Sequence, residues 1–195
     1  VIGLGSMGIG AARSCIRAGL NTYGVDINAE TLQALKESGA KDVSMNCSDF
    51  AAELDSVLLL VVNAKQVKTI LFENNLADNL RPGTGVMVSA TISASDAREI
   101  ETQLEDRKLL MLDAPVSGGA AKAEKGEMTI MAAGSDQAFD KLKSVLDATG
   151  DKVYRIGSEI GMGATVKIIH QLLAGIHIAA GAEAMAMAAK SNIPL

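Results

Sequence analysis

Tryptophan is absent from this chain, cysteine occurs only twice, and its 18 Lys+Arg fall short of its 23 Asp+Glu, leaving a formal charge of −5. The acidic balance and the lack of any basic cluster speak against nucleic acid as a partner. Cys15 and Cys47 have neither metal-ligand nor redox spacing, so no metal centre is expected, and two free thiols suit a reducing cytosol. No run of eighteen consecutive apolar residues occurs, from which no membrane span is expected. No signal peptide is visible within these residues, and there is no internal repeat or low-complexity tract. With 48% apolar and 21% charged residues, a disordered or collagen-like chain is excluded. The chain opens at Val1 without a start Met and stops at Leu195 just after Pro194, and it reads as a fragment with residues missing at both ends.

What is present alternates short β-branched runs with helical stretches, the pattern of a parallel sheet with crossover helices. Val1 to Leu4 reads as the tail of a first strand and Ser6 to Ala18 as the following helix. A strand at Asn21 to Val25 and a helix from about Asn28 to Glu37 come next. Ser56 to Val62 is apolar nearly throughout, as for a strand buried on both faces. Further strands are predicted at Gly85 to Ser89, Lys108 to Leu112, Met128 to Ala132 and Lys152 to Ile156, with helices at Ser95 to Glu105 and about Asp136 to Ala148. From about Gly163 to Ala189 the strand signal vanishes, and Ala, Ile, Leu and Met predict one helix roughly 40 Å long. Being apolar nearly all round, it is expected to be buried. One helix makes no core alone, so it is expected to open a second, all-α domain completed by later residues or a partner chain. The expected division is 1–160 and 161–195.

Gly3-Leu4-Gly5-Ser6-Met7-Gly8 fits G-x-G-x-x-G and lies where a strand gives way to a helix at the start of a βαβ unit. Gly3 permits the tight turn, Gly5 lets a pyrophosphate approach the backbone, and Gly8 lets helix and strand pack. The helix N-terminus presents free N–H groups to the phosphates. Asp26, at the end of the second strand, would accept hydrogen bonds from the adenosine ribose, with Ile27 beside it. Such a carboxylate repels a 2′-phosphate and favours NAD over NADP. Together these features predict a Rossmann-type, doubly wound and mostly parallel sheet, the plain alternative being a strand–turn–helix with a solvated Asp.

Two further segments carry chemistry. Asp113-Ala114-Pro115-Val116-Ser117-Gly118-Gly119 follows a strand, and the hydroxyl and free N–H groups of Ser117, Gly118 and Gly119 suit a carboxylate. A simple connecting turn is the other reading. Lys167 is the one charged residue between Glu159 and Glu183, and His170 and Gln171 share its helical face. A buried Lys without a carboxylate should have a depressed pKa, as proton transfer requires. Equally, its ammonium could reach along the helix to solvent. His177 and the methionines Met185 and Met187 read as packing.

Taken in order, the glycine loop, the Asp113–Gly119 segment and Gly161-Met162-Gly163-Ala164-Thr165-Val166-Lys167 make the chain resemble the β-hydroxyacid dehydrogenase superfamily. That resemblance implies an NAD-dependent oxidoreductase with the dinucleotide on Gly3 through Gly8, the substrate carboxylate on Ser117 through Gly119, and Lys167 as the catalytic acid/base. It also implies cofactor contacts from Thr91 and from Val62-Asn63, where the family has Leu-Pro. Most members carry Lys-x-x-Asn; here the position is His170, followed by Gln171, and both are assigned to substrate. The stretch Val166 to Gly175 looks like the family's L-threonate dehydrogenase branch, which oxidises a four-carbon sugar acid at carbon 2. A 3-hydroxyisobutyrate or tartronate semialdehyde enzyme is the alternative within the family, whose members form dimers or tetramers through their helical domains. Outside it stand a regulatory nucleotide-binding module, which has no use for Lys167, and an oligomerisation scaffold, which does not need Gly3, Gly5 and Gly8 as a set.

Overall fold

The computed structural model describes residues 1–194. Helix α1 (Gly8–Arg17) leads to strand β1 (Tyr23–Val25), α2 (Ala29–Glu37) and β2 (Asp42–Ser44). Then come β3 (Ser56–Leu59), α3 (Ala64–Lys68), α4 (Leu76–Asn79), β4 (Gly85–Val88), α5 (Ala94–Glu105) and β5 (Leu110–Asp113). The last part comprises β6 (Val116–Ser117), α6 (Gly119–Lys125), β7 (Met128–Ala133), α7 (Asp136–Thr149), β8 (Gly150–Gly157) and α8 (Met162–Lys190). Side-chain caps set where several helices begin. Asn28 accepts from the Glu30 and Thr31 N–H groups, Ser93 from Asp96 and Ser135 from Ala138, satisfying donors that a helix start leaves unpaired.

Strands β3, β4 and β5 pair in parallel and register, with Leu58 beside Met87 and Met87 beside Leu112. Ile2 bridges Val25 and Leu59, so the Val1–Leu4 segment joins β1 and β2 to this sheet. Strand alternation then sends side chains to two faces. Val57, Leu59, Val86 and Val88 pack with Ile100 and Leu104 of α5. Leu58, Met87 and Leu112 pack with Ala11 of α1 and Leu142 of α7. The doubly wound, mostly parallel architecture expected from the sequence is thus formed.

Several expectations need correction. β7 runs antiparallel to β5 and β6, and the short strands β2 and β6 carried too few residues for an apolar period to show. The apolar run beginning at Ser56 leaves the ladder after Leu59, and Val62 is 77% exposed. The long helix is longer than expected, at 29 residues, and of its residues only Gly163, Ala164 and Lys167 are buried. Its apolar remainder, including Ile168, Leu172, Ile176 and Met187, is bare, because the described residues contain nothing to pack against it. By length and composition alone α8 is also long and apolar enough to cross a membrane, with a mean hydropathy of 1.5 over eighteen residues. Scattered Gly and His hide this from a search for unbroken apolar runs. Leu195, the end of the predicted 161–195 segment, lies outside the described residues.

Candidate active site

The glycine loop lies where the Val1–Leu4 segment meets α1, and each glycine has its own reason to be there. Gly3 has φ +87°, and a Cβ on it would meet the Leu60 carbonyl oxygen at 2.7 Å. A Cβ on Gly8 would sit 1.7 Å from the Gly3 carbonyl oxygen. Gly5 differs, because its Cβ would meet nothing within 4 Å. Gly3 and Gly8 are demanded by the turn and by helix–strand contact, whereas the bare backbone of Gly5 faces open space, as a docking pyrophosphate needs. Ser6 is exposed and Met7 half-buried. Leu4 is 2% exposed and its N–H donates to Asp26, so neither its side chain nor its N–H is free for a ligand. We expect Gly8→Ala to lower stability by roughly 1–3 kcal/mol, the usual cost of overpacking, and to abolish NAD binding, since Gly3 must move. Denaturant unfolding and NAD titration check this; an unchanged midpoint with intact binding would show that the loop relaxes freely.

Asp26 stands at the end of β1 with both carboxylate oxygens engaged, accepting from the Leu4 N–H at 2.5 Å and from the Asn28 N–H at 2.9 Å. Beside it Ile27 is 87% exposed. Together with Gly3, Gly5, Val62 and Asn63 these two residues line a groove of about 920 Å³, outside the carboxyl ends of the strands where ligands of open α/β sheets bind. The open space at Gly5, the anchored carboxylate and the exposed rim fit a dinucleotide. Asn63, the departure from Leu-Pro, caps α3 by accepting from the Gln66 N–H at 3.0 Å. Gln66 in turn accepts from the Val62 N–H at 2.8 Å, so the expected backbone contact at Val62 is already occupied. Gln66 and Lys65, the one cation among the described residues that line this groove, were missed in the sequence. The Asn-x-x-Gln spacing of a capping box was the available signal. Cys47 also lines the groove, and burial pushes its thiol pKa up, which makes it a poor nucleophile. A second cavity of about 440 Å³, reached from Leu20, Tyr23 and Ser56, lies at the starting ends of β1 and β3, opposite the ligand side.

The remaining candidates lie outside the groove. Thr91 is exposed just beyond β4. Ser117 is half-buried and pairs with Thr129 of β7. Gly118 and Gly119 have φ +130° and +70°, and a Cβ on Gly118 would press on the Lys122 side chain at 2.9 Å, while one on Gly119 meets open space. Lys167 is 5% exposed and burial alone shifts its pKa, downward. That burial answers the alternative of a lysine reaching for solvent. His170 and Gln171, one turn further, are both exposed. Among the described residues no group of three His, Cys, Asp or Glu side chains is placed to hold a metal ion.

Residues 1–157 match the model of the NAD binding domain of 6-phosphogluconate dehydrogenase. The L-threonate dehydrogenase of Pectobacterium atrosepticum is 67% identical over 196 residues, aligned with all of this chain and 64% of its own length. The Escherichia coli K12 protein of the same name is 62% identical and is covered over 65%. A Salmonella typhimurium crystal structure described as 3-hydroxyisobutyrate dehydrogenase is 56% identical, superposes with a TM-score of 0.94, and aligns with 99% of this chain and 67% of its own. The chain thus spans just under two thirds of the length of the two L-threonate dehydrogenases. On the match over residues 1–157 and these relatives, the chain belongs to the family of the NAD binding domain of 6-phosphogluconate dehydrogenase, within the β-hydroxyacid dehydrogenase superfamily that its three motifs resemble.

Proposed function

We propose that the full-length protein is an NAD-dependent dehydrogenase that oxidises L-threonate at carbon 2, with Lys167 as general acid/base. The observation that carries this reading is the burial of Lys167, at 5% exposure, on an otherwise apolar helix with no counter-charge shifting its pKa. An ammonium so placed loses its hydration without a carboxylate in return, so its neutral form is favoured and can accept a proton. When bound, NAD supplies the hydride acceptor. Lys167 Nζ takes the proton from the carbon-2 hydroxyl in the oxidative direction and returns it in the reverse. Ser117, Gly118 and Gly119 hold the substrate carboxylate, and His170 and Gln171 orient the other hydroxyls. Residues from 161 onward open the helical domain, whose bare apolar face on α8 suits packing within a homodimer or homotetramer. The two free, buried thiols suit a cytosolic setting.

The name of the Salmonella structure favours 3-hydroxyisobutyrate as a second reading. The full-length protein with NAD is therefore assayed against L-threonate, 3-hydroxyisobutyrate and the tartronate semialdehyde reaction side by side. A kcat/KM that does not favour L-threonate would remove the first reading.

The carboxylate subsite has its own test. Gly119→Ala meets no atom within 4 Å but strains a backbone at φ +70°, which shifts the loop N–H groups, whereas a side chain at Gly118 would also collide with Lys122. Losing a charge-assisted hydrogen bond of about 1.5–3 kcal/mol raises KM for the acid roughly tenfold to a hundredfold. KM for NAD should stay unchanged, and equal damage to both constants would mean that the loop is only structural.

A further inference from the structure

The geometry points to Asp113 as the positioning residue that fixes Lys167 relative to the Ser117–Gly119 loop. Asp113 ends β5 and is 1% exposed. Its Oδ2 accepts from the Gly161 N–H at 2.9 Å and the Ala164 N–H at 2.8 Å, across 48 and 51 residues of sequence. Helix α8 has no cap of its own, because its N-cap is Gly161, with φ +98°. The cap is imported from the sheet.

The same turn is held on its other sides. A Cβ on Gly163 would lie 2.5 Å from the Asp113 carbonyl oxygen and 2.6 Å from that of Met131. One on Gly161 would lie 2.7 Å from Arg98 Nη1 of α5. Lys167 follows Gly163 by four residues and Ala164 by three, so the three share one helical face. They are also the buried residues of α8 among those described. Past Lys167 the helix is largely bare, and this clamp is what holds the lysine.

Helix stability is a poor explanation for such a cap. Asp113 Oδ1 is buried and has no hydrogen-bond partner, and an unpaired buried carboxylate oxygen is costly. A Ser or Thr cap at position 161 is excluded by the φ of +98° and the close approach to Arg98, so the capping oxygen has to come from another element. What Asp113 adds is a link between two functional segments: its side chain holds the helix carrying Lys167, and its main chain leads directly into Ser117–Gly119. The charged groups around the clamp are Asp113 from β5 and Arg98 and Glu101 from α5. β7 contributes none, and Arg155 of β8 is bonded to Asp136.

This inference rests on Lys167 being the base, and its test separates the two. In the full-length protein, Asp113→Ala should lower kcat roughly tenfold to a hundredfold, as misplacement of a catalytic group does, with NAD affinity unchanged. Water reaching Nζ should move the acid limb of kcat to higher pH. Asp113→Asn retains an oxygen for both N–H groups and should recover most of the loss. Labelling of Lys167 by an amine reagent, read by mass spectrometry, should accelerate in Asp113→Ala whether or not Lys167 is the base. Lys167→Ala tests the base itself. If Asp113→Ala does not fold, Gly163→Ala, which displaces the same turn, must show the kcat loss and the shifted limb. A folded Asp113→Ala or Gly163→Ala variant with unchanged limb and labelling rate overturns the inference. So does a fall in kcat matched by equal losses in NAD affinity and Tm.

Discussion

Replacing Lys167 with alanine in the full-length protein should lower kcat by ~10²–10⁴-fold, the usual contribution of a general acid/base, while NAD still binds. The working form is the neutral amine. Because burial holds its pKa below the ordinary lysine value, activity should fall as pH drops through that lowered pKa. The same burial makes a stability prediction of definite sign. In the unfolded chain Lys167 stays protonated up to about pH 10.4, whereas the folded protein favours the neutral form at lower pH. Between the two pKa values the unfolded state binds the extra proton, so the lysine disfavours folding at neutral pH, and that penalty fades as pH rises towards the unfolded value. Lys167→Met should therefore abolish turnover and raise Tm at neutral pH, a combination that a solvated surface lysine would not give. His170, an exposed imidazole one turn further along the same helix, is the rival base. If His170→Asn abolished turnover and Lys167→Ala left it intact, the two roles would have to be exchanged.

Cofactor choice provides the second large effect. The unmodified protein should use NAD and discriminate against NADP, because a 2′-phosphate would meet the Asp26 carboxylate. Substituting Asp26 by serine has a further consequence, since Asp26 also accepts the Leu4 N–H and so ties the glycine loop to the end of β1. Charge-assisted hydrogen bonds of this kind contribute about 1.5–3 kcal/mol, so Asp26→Ser alone should weaken NAD roughly tenfold to a hundredfold without gaining NADP. Adding Ile27→Arg at the exposed neighbouring position should then move the ratio of kcat/KM values toward NADP, at lower absolute activity. Both constants, measured with both cofactors, check the order of effects. Comparable use of NAD and NADP by the unmodified protein would remove the role given to Asp26.

The glycine loop and Asp26 were legible in the sequence because their chemistry is local. A G-x-G-x-x-G between a strand and a helix needs only nearby atoms, and the closest approach, from Gly8 to Gly3, is made within the loop itself. Lys167 was legible as an anomaly, one charge in an apolar stretch, but its burial was not, since periodicity allowed the ammonium to reach solvent. Of the groove residues, Gln66 was signalled only by its capping-box spacing from Asn63, and Lys65 escaped notice because nothing in a single polar residue tells which way it faces once α3 has formed. β2 and β6 were missed because pairing with β1 and β7, rather than an apolar period, holds them in the sheet.

By itself, then, the sequence determined the elements whose signals repeat within a few residues: alternating strands and helices, a phosphate-type turn, an acidic residue at the second strand's end, and a long apolar helix. Only the tertiary structure decided what depends on atoms far apart in the chain. Asp113 caps a helix whose N-cap residue lies 48 residues later, Gly163 exists because two strands' carbonyl groups crowd it, and Lys167 is buried because that clamp draws one turn of α8 onto the sheet. Hydrophobic periodicity records which side of an element avoids water, but it carries no record of which distant backbone will be waiting there.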